Sequence, residues 1–152
     1  MCDYCDCRSI SEIGELSIEH ERVLELTHSL RHQTIDAAHH DAIDRDVRAL
    51  RSALAPHTRR EEAGIFSVLA MVDCPPAYRR RFLDDHAHID EMVDAALCDH
   101  TIVPDLTALV EQHVFEEETD LYPALRQLFA PSDWHIVEDR VKRAREPEPA
   151  TN

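Results

Sequence analysis

Four stretches of the chain repeat apolar residues at the three-and-four spacing of an amphipathic helix, so each predicts a long helix with one buried face. The first runs from about Ser11 to about Gln33, with Ile13, Leu16, Val23 and Leu30 in register. The second, about Asp41 to Val72, carries Ile43, Val47, Leu50, Leu54, Ile65 and Val68. The third, about Pro76 to Asp99, carries Phe82, Ile89, Val93 and Leu97, and the fourth, about Pro104 to Phe129, carries Leu106, Val110, Leu121, Leu125 and Leu128. Pro75-Pro76 and Pro104 stand at helix starts, where a missing N–H costs nothing, and Pro131 follows the fourth stretch. Pro56 falls inside the second and predicts a kink beside His57. A short fifth helix, about Ser132 to Arg145, is expected to lay Trp134 and Val137 on the end of the bundle. Short connections make an antiparallel up-down-up-down four-helix bundle the expected topology.

Composition agrees with an all-α chain. Only 5% of the residues are aromatic and only two are glycine, which leaves little material for sheets and tight turns. At 152 residues one domain is expected over 10–145, preceded by a cysteine-rich segment 1–9 and followed by a disordered tail 146–152. The formal charge of −15, from 31 acidic and 16 basic residues, argues against nucleic acid or an anionic membrane surface as a partner. No apolar run is long enough to span a bilayer, and the N-terminus shows no signal-peptide pattern, so a cytoplasmic location is expected.

The chain holds 11 histidines, and four of them interrupt the apolar stripes. Leu50 and Leu54 lead directly to His57, Glu61 and Ile65; Leu106 and Val110 lead to His113, Glu117 and Leu121. His20 lies between Leu16 and Val23, and His86 between Phe82 and Ile89. Each helix thus turns one imidazole into the core, and two of them add a carboxylate one turn further on. An unpaired buried carboxylate is costly, so two of them among four imidazoles are explained together if they surround cations. Core histidines satisfied by carboxylates would be the plainer explanation, but it gives no reason for a polar layer in all four helices.

An internal repeat carries the same message. His57-Thr-Arg-Arg-Glu61-Glu62-Ala-Gly-Ile65-Phe66 aligns with His113-Val-Phe-Glu-Glu117-Glu118-Thr-Asp-Leu121-Tyr122, and Glu19-His20 aligns with Asp85-His86. Two similar hairpins, each giving a lone histidine and a His/Glu pair, suit two equivalent metal ions bridged by two carboxylates. Imidazole and carboxylate without thiolate favour iron, with manganese or zinc as alternatives. A ferritin-like centre would need two Glu-x-x-His motifs, and only Glu25-Leu-Thr-His28 has that form.

From about Ile10 to Phe129 these motifs resemble the hemerythrin family, the HHE cation-binding domain. The resemblance implies a non-haem di-iron centre held by His20, His57, Glu61, His86, His113 and Glu117, with the two glutamates bridging the irons beside an oxo or hydroxo bridge. Oxygen-carrying members place a second histidine four residues after the third-helix ligand; this chain has Asp90 there, and His88 points about 200° away from His86. They also place the fourth-helix carboxylate one residue later, which makes Glu118 the alternative to Glu117. Asp90 and Glu118 are therefore candidates for the metal or for residues beside it. The four-His, two-Glu set looks more like bacterial di-iron proteins that handle nitric oxide or peroxide or repair iron–sulfur centres.

The expected function is thus to bind or reduce a small oxidant (oxygen, nitric oxide or peroxide) in stress defence or sensing. The alternatives are an iron store or donor, an iron–sulfur repair module, or a sensor without turnover. Phe66 and Tyr122 either line the cavity or are plain core. Cys2, Cys5 and Cys7 offer a second metal or redox site and a contact for a redox or iron–sulfur partner, or else form a tail of reactive thiols. Three thiols do not complete a tetrahedral site.

Overall fold

The computed structural model describes residues 7–35 and 38–145, and among these every regular element is helical. Helix α1 spans Ser11–Arg31. Helix α2, His40–Glu61, continues through a wide turn at Glu62–Phe66 and a last turn at Ser67–Leu69. Helix α3 spans Pro76–Ala96, with Pro75 as its N-cap and a proline in its first turn, where no N–H is wanted. Helix α4, Val103–Glu116, continues through a second wide turn at Glu117–Leu121 into Tyr122–Leu128. Helix α5, Pro131–Arg145, closes the described chain.

The apolar stripes meet in two clusters. One gathers Ile13 and Leu16 from the start of α1, Ile65, Phe66 and Val68 from the end of α2, Phe82 from the start of α3, and Leu121 and Leu125 from the end of α4. The other gathers Val23 and Leu30, Ile43 to Leu54, Ile89 and Val93, and Val103 to Val114. The residues between them along each helix are polar and fully buried, and they form the layer described next.

The expected irregularity at Pro56 lies elsewhere. Helix α2 runs through Pro56, and α geometry gives way only at Glu62–Phe66. There, and at Glu117–Leu121, the backbone widens to π geometry, one residue after Glu61 in the first case and at Glu117 itself in the second. The stripe itself calls for this widening. From His57 to Glu61 to Ile65, and from His113 to Glu117 to Leu121, the inward residues step by four, and each such step overshoots a full turn by about 40°. A wider turn restores the stripe to the core. In α4 the Pro123 ring, which has no N–H to give, stands two residues past the turn.

Helix α5 rests on the first of these wide turns. A Cβ on Gly64 would lie 2.7 Å from Val141 Cγ2 and 3.1 Å from Val137 Cγ1, so the absent side chain is what lets α5 approach. Trp134 packs edge-on against Phe129 at 5.0 Å between ring centroids.

Candidate metal centre

The structure brings His20, His57, Glu61, His86, His113 and Glu117 into one layer, none more than 3% exposed. One ligand atom from each of His20, His57, Glu61 and Glu117 lies within 4.8 Å of the other three, and the same holds for Glu61, His86, His113 and Glu117. The two groups share both glutamates. Glu117 presents Oε2 to His20 Nε2 at 3.1 Å and Oε1 to His113 Nε2 at 3.2 Å, one oxygen to each group. Glu61 Oε2 lies between His57 Nε2 at 3.3 Å and His86 Nε2 at 3.2 Å.

Although short, these contacts are not hydrogen bonds. Glu61 Oε2, both oxygens of Glu117, His86 Nε2 and His113 Nε2 are buried without a hydrogen-bond partner. His20 Nε2 and His57 Nε2 face each other at 3.0 Å. Buried orphans of this number are costly, and all of them point inward.

The outer ring nitrogens explain why. His20 Nδ1 meets Glu118 Oε1 at 3.0 Å, His57 Nδ1 meets Glu19 Oε2 at 3.1 Å, and His86 Nδ1 meets Glu62 Oε1 at 3.0 Å. His113 Nδ1 faces Asp85 Oδ2 at 3.9 Å, beyond hydrogen-bond reach. An ionised carboxylate only accepts, so each of these three rings keeps a proton on Nδ1 and turns Nε2 to the centre as the nitrogen a cation would take. This carboxylate–imidazole arrangement is the one that orients histidine toward a metal. The donor set and its orphaned inner atoms therefore fit cations.

Charge in the layer follows from the same contacts. Burial pushes His57 down, but Glu61, Glu19 and Glu117 outweigh it and raise the ring to about 10. Burial likewise opposes His86, and Glu117, Glu61 and Glu62 raise it to about 12. On Glu61 the burial penalty is outweighed by His57 and His86, which hold its carboxyl well below the usual range. His113 is the exception: burial prevails over Glu117 and lowers it.

Several expected residues lie elsewhere. Glu118 is outside the central groups, on the far nitrogen of His20, because one residue along a helix turns a side chain by about 100°. Asp90 is exposed and lines a surface cleft with Arg51, Ala55 and Asp94, so it takes no part in the centre. Cys2 and Cys5 lie outside the described residues. Cys7 is buried in the cluster of Ile13, Leu16 and Phe66 and disulfide-bonded, which removes it as a thiol ligand, while Cys74 and Cys98 are free.

A model of the hemerythrin HHE cation binding domain matches residues 11–125. The chain belongs to this family. No curated protein and no solved structure gives a match. The family's cation-binding character agrees with the inward-facing imidazole and carboxylate atoms, and among the described residues no helix is long and apolar enough to cross a membrane.

Three residues that sequence reasoning gave no role stand behind the histidines of the hemerythrin site, and a fourth, Tyr122, was expected there only as cavity lining or core. Glu19, Glu62 and Asp85 adjoin the central residues in sequence and fall at matching positions of the internal repeat, which was the available signal. Tyr122 donates its hydroxyl to Glu61 Oε1 at 2.9 Å and stacks on His20 at 5.6 Å between ring centroids. Burial and the nearby carboxylates raise the Tyr122 phenol well above its ordinary range, so it remains a donor.

Proposed function

We propose that the four long helices form an up-down-up-down bundle holding two iron ions, and that the pair binds or reduces a small oxidant such as oxygen, nitric oxide or peroxide in stress defence or sensing. The alternating order in which the helices enter the two core clusters supports the topology. The observation that carries the metal reading is the set of orphaned inner atoms on Glu61, Glu117, His86 and His113.

In this reading His20 and His57 would hold one ion and His86 and His113 the other, with Glu61 and Glu117 available to both. Bound iron would supply reversible electron transfer and a coordination position for the oxidant. The chain's own part is to fix that geometry and keep it dry. The outer carboxylates hold the rings in orientation, while Leu16, Phe66, Phe82 and Leu121 on one side and Val23, Leu54, Ile89 and Val110 on the other exclude bulk water. Two imidazoles and a share of two carboxylates would be fewer donors than iron commonly takes, so a small ligand could be accommodated.

Metal analysis with the visible spectrum of the oxidised protein tests the first half of the reading: two irons per chain and the charge-transfer bands of a bridged ferric pair are expected. Anaerobic mixing of the reduced protein with nitric oxide or peroxide tests the second. Rapid oxidation or ligand binding supports it. Zinc-loaded protein that reacts with neither oxidant, and whose metal only raises the melting temperature, would overturn it.

A further inference from the structure

The internal repeat makes the two halves of the centre directly comparable, and their outer contacts differ. Glu19 behind His57 corresponds to Asp85 behind His113, Glu118 behind His20 to Glu62 behind His86, and Arg60 to Glu116. In the first half Glu19 bonds His57 at 3.1 Å and also accepts from Arg60, a residue only 7% exposed whose guanidinium reaches Glu12 and Glu15 as well. Glu118, its side chain 11% exposed, bonds His20 and has Arg8 at 3.8 Å.

The second half lacks these braces. Asp85 is one methylene shorter than Glu19 and stops 3.9 Å from His113, leaving both ring nitrogens of His113 without partners. Where Arg60 would clamp it, the repeat puts Glu116, which carries the wrong charge and pairs with Arg81 instead. Glu62 still bonds His86, but its side chain is 48% exposed. Outer partners of metal-bound histidines are worth about 10–100-fold in affinity.

We propose that the two halves bind their cations unequally, the His20/His57 half taking the first and holding it, the His86/His113 half taking the second more weakly and serving as the exchangeable position. Arg60 is the positioning residue that sets this order, acting on His57 through Glu19. The proposal rests on the two-cation reading of the centre.

Anaerobic titration of the metal-free full chain with cobalt(II), followed by calorimetry and by the visible bands of the bound ion, tests it. Two steps separated by about 10–100-fold are expected. His57→Ala should abolish the tight step, and His113→Ala only the weak one. Arg60→Met should weaken the tight step about tenfold while leaving the weak step in place, and Arg60→Lys should restore part of the loss, a selectivity that general destabilisation does not produce. Asp85→Glu with Glu116→Arg, which builds the missing brace without touching the first half, should bring the second step toward the first. Two steps of equal affinity that do not respond to these exchanges, or a tight step lost with His113 instead of His57, would overturn the order while leaving the two-cation reading intact. Uptake of fewer than two ions per wild-type chain would overturn that reading itself.

Discussion

Tyr122 and Phe66 occupy matching places in the two halves of the chain, and only Tyr122 carries a hydroxyl. It satisfies one oxygen of Glu61, whereas neither oxygen of Glu117 has a partner. Replacing Tyr122 with Phe keeps the ring over His20 but leaves a buried carboxylate oxygen unpaired, at a cost of about 1–3 kcal/mol. The expected outcome is a lower urea midpoint for Tyr122→Phe with two ions per chain still bound; an unchanged midpoint would show that the hydroxyl contributes nothing. The adjacent glutamates separate in the same way. Glu117→Ala removes one of the two carboxylates that face both groups and should lose most bound metal, whereas Glu118→Ala should keep both ions and weaken only the one beside His20. Metal analysis after extensive dialysis distinguishes the two. The sequence made Glu117 legible through its register with Glu61, but left Glu118 as an alternative because neighbours in sequence differ only in angle. Tyr122 was less legible still, since a ring one position beyond an apolar stripe reads equally well as core.

At the level of elements, the long helices could be read because each stripe is continuous, and the polar layer could be read because it falls within the stripes. The wide turns could not, since no local residue type announces π geometry; they arise from four-residue steps that only tertiary packing forces back into register. Pro56 misled for the opposite reason, being a strong local signal that the surrounding helix absorbs. The first wide turn also explains how α5 docks. Gly64→Ala should gain helix propensity yet lose stability, because the new methyl meets Val141 at 2.7 Å. Overpacking of this kind costs about 1–3 kcal/mol, against about 1 kcal/mol gained from replacing glycine within a helix. Val141→Ala on the same background should recover most of the loss in urea midpoint. If the double variant is no more stable than Gly64→Ala alone, the close approach of α5 is not what the glycine serves.

Across the whole molecule, the two apolar clusters are separated by a layer that must stay neutral enough to remain buried, and protons can do part of what cations do there. With His57 raised to about 10 and His86 to about 12, both rings are imidazolium at neutral pH in the metal-free protein, offsetting Glu61 and Glu117. Cations need those nitrogens free, so loading must displace protons. Apparent affinity should therefore rise with pH, and calorimetry in buffers of different ionisation heat should register at least two protons released as both ions bind. Stability follows with a definite sign. A histidine whose folded pKa is raised stabilises the fold fully below its unfolded value of about 6.5 and loses that contribution as pH climbs toward its folded value. For His57 the loss runs from about 6.5 to about 10 and for His86 to about 12, so the metal-free protein should weaken steadily above neutrality. The loaded protein has no Nε2 protons on these rings left to lose and should not follow. The difference in melting temperature between loaded and metal-free protein should then widen from pH 6.5 to pH 9; a constant or shrinking difference would mean that protons do not stand in for the cations in this layer.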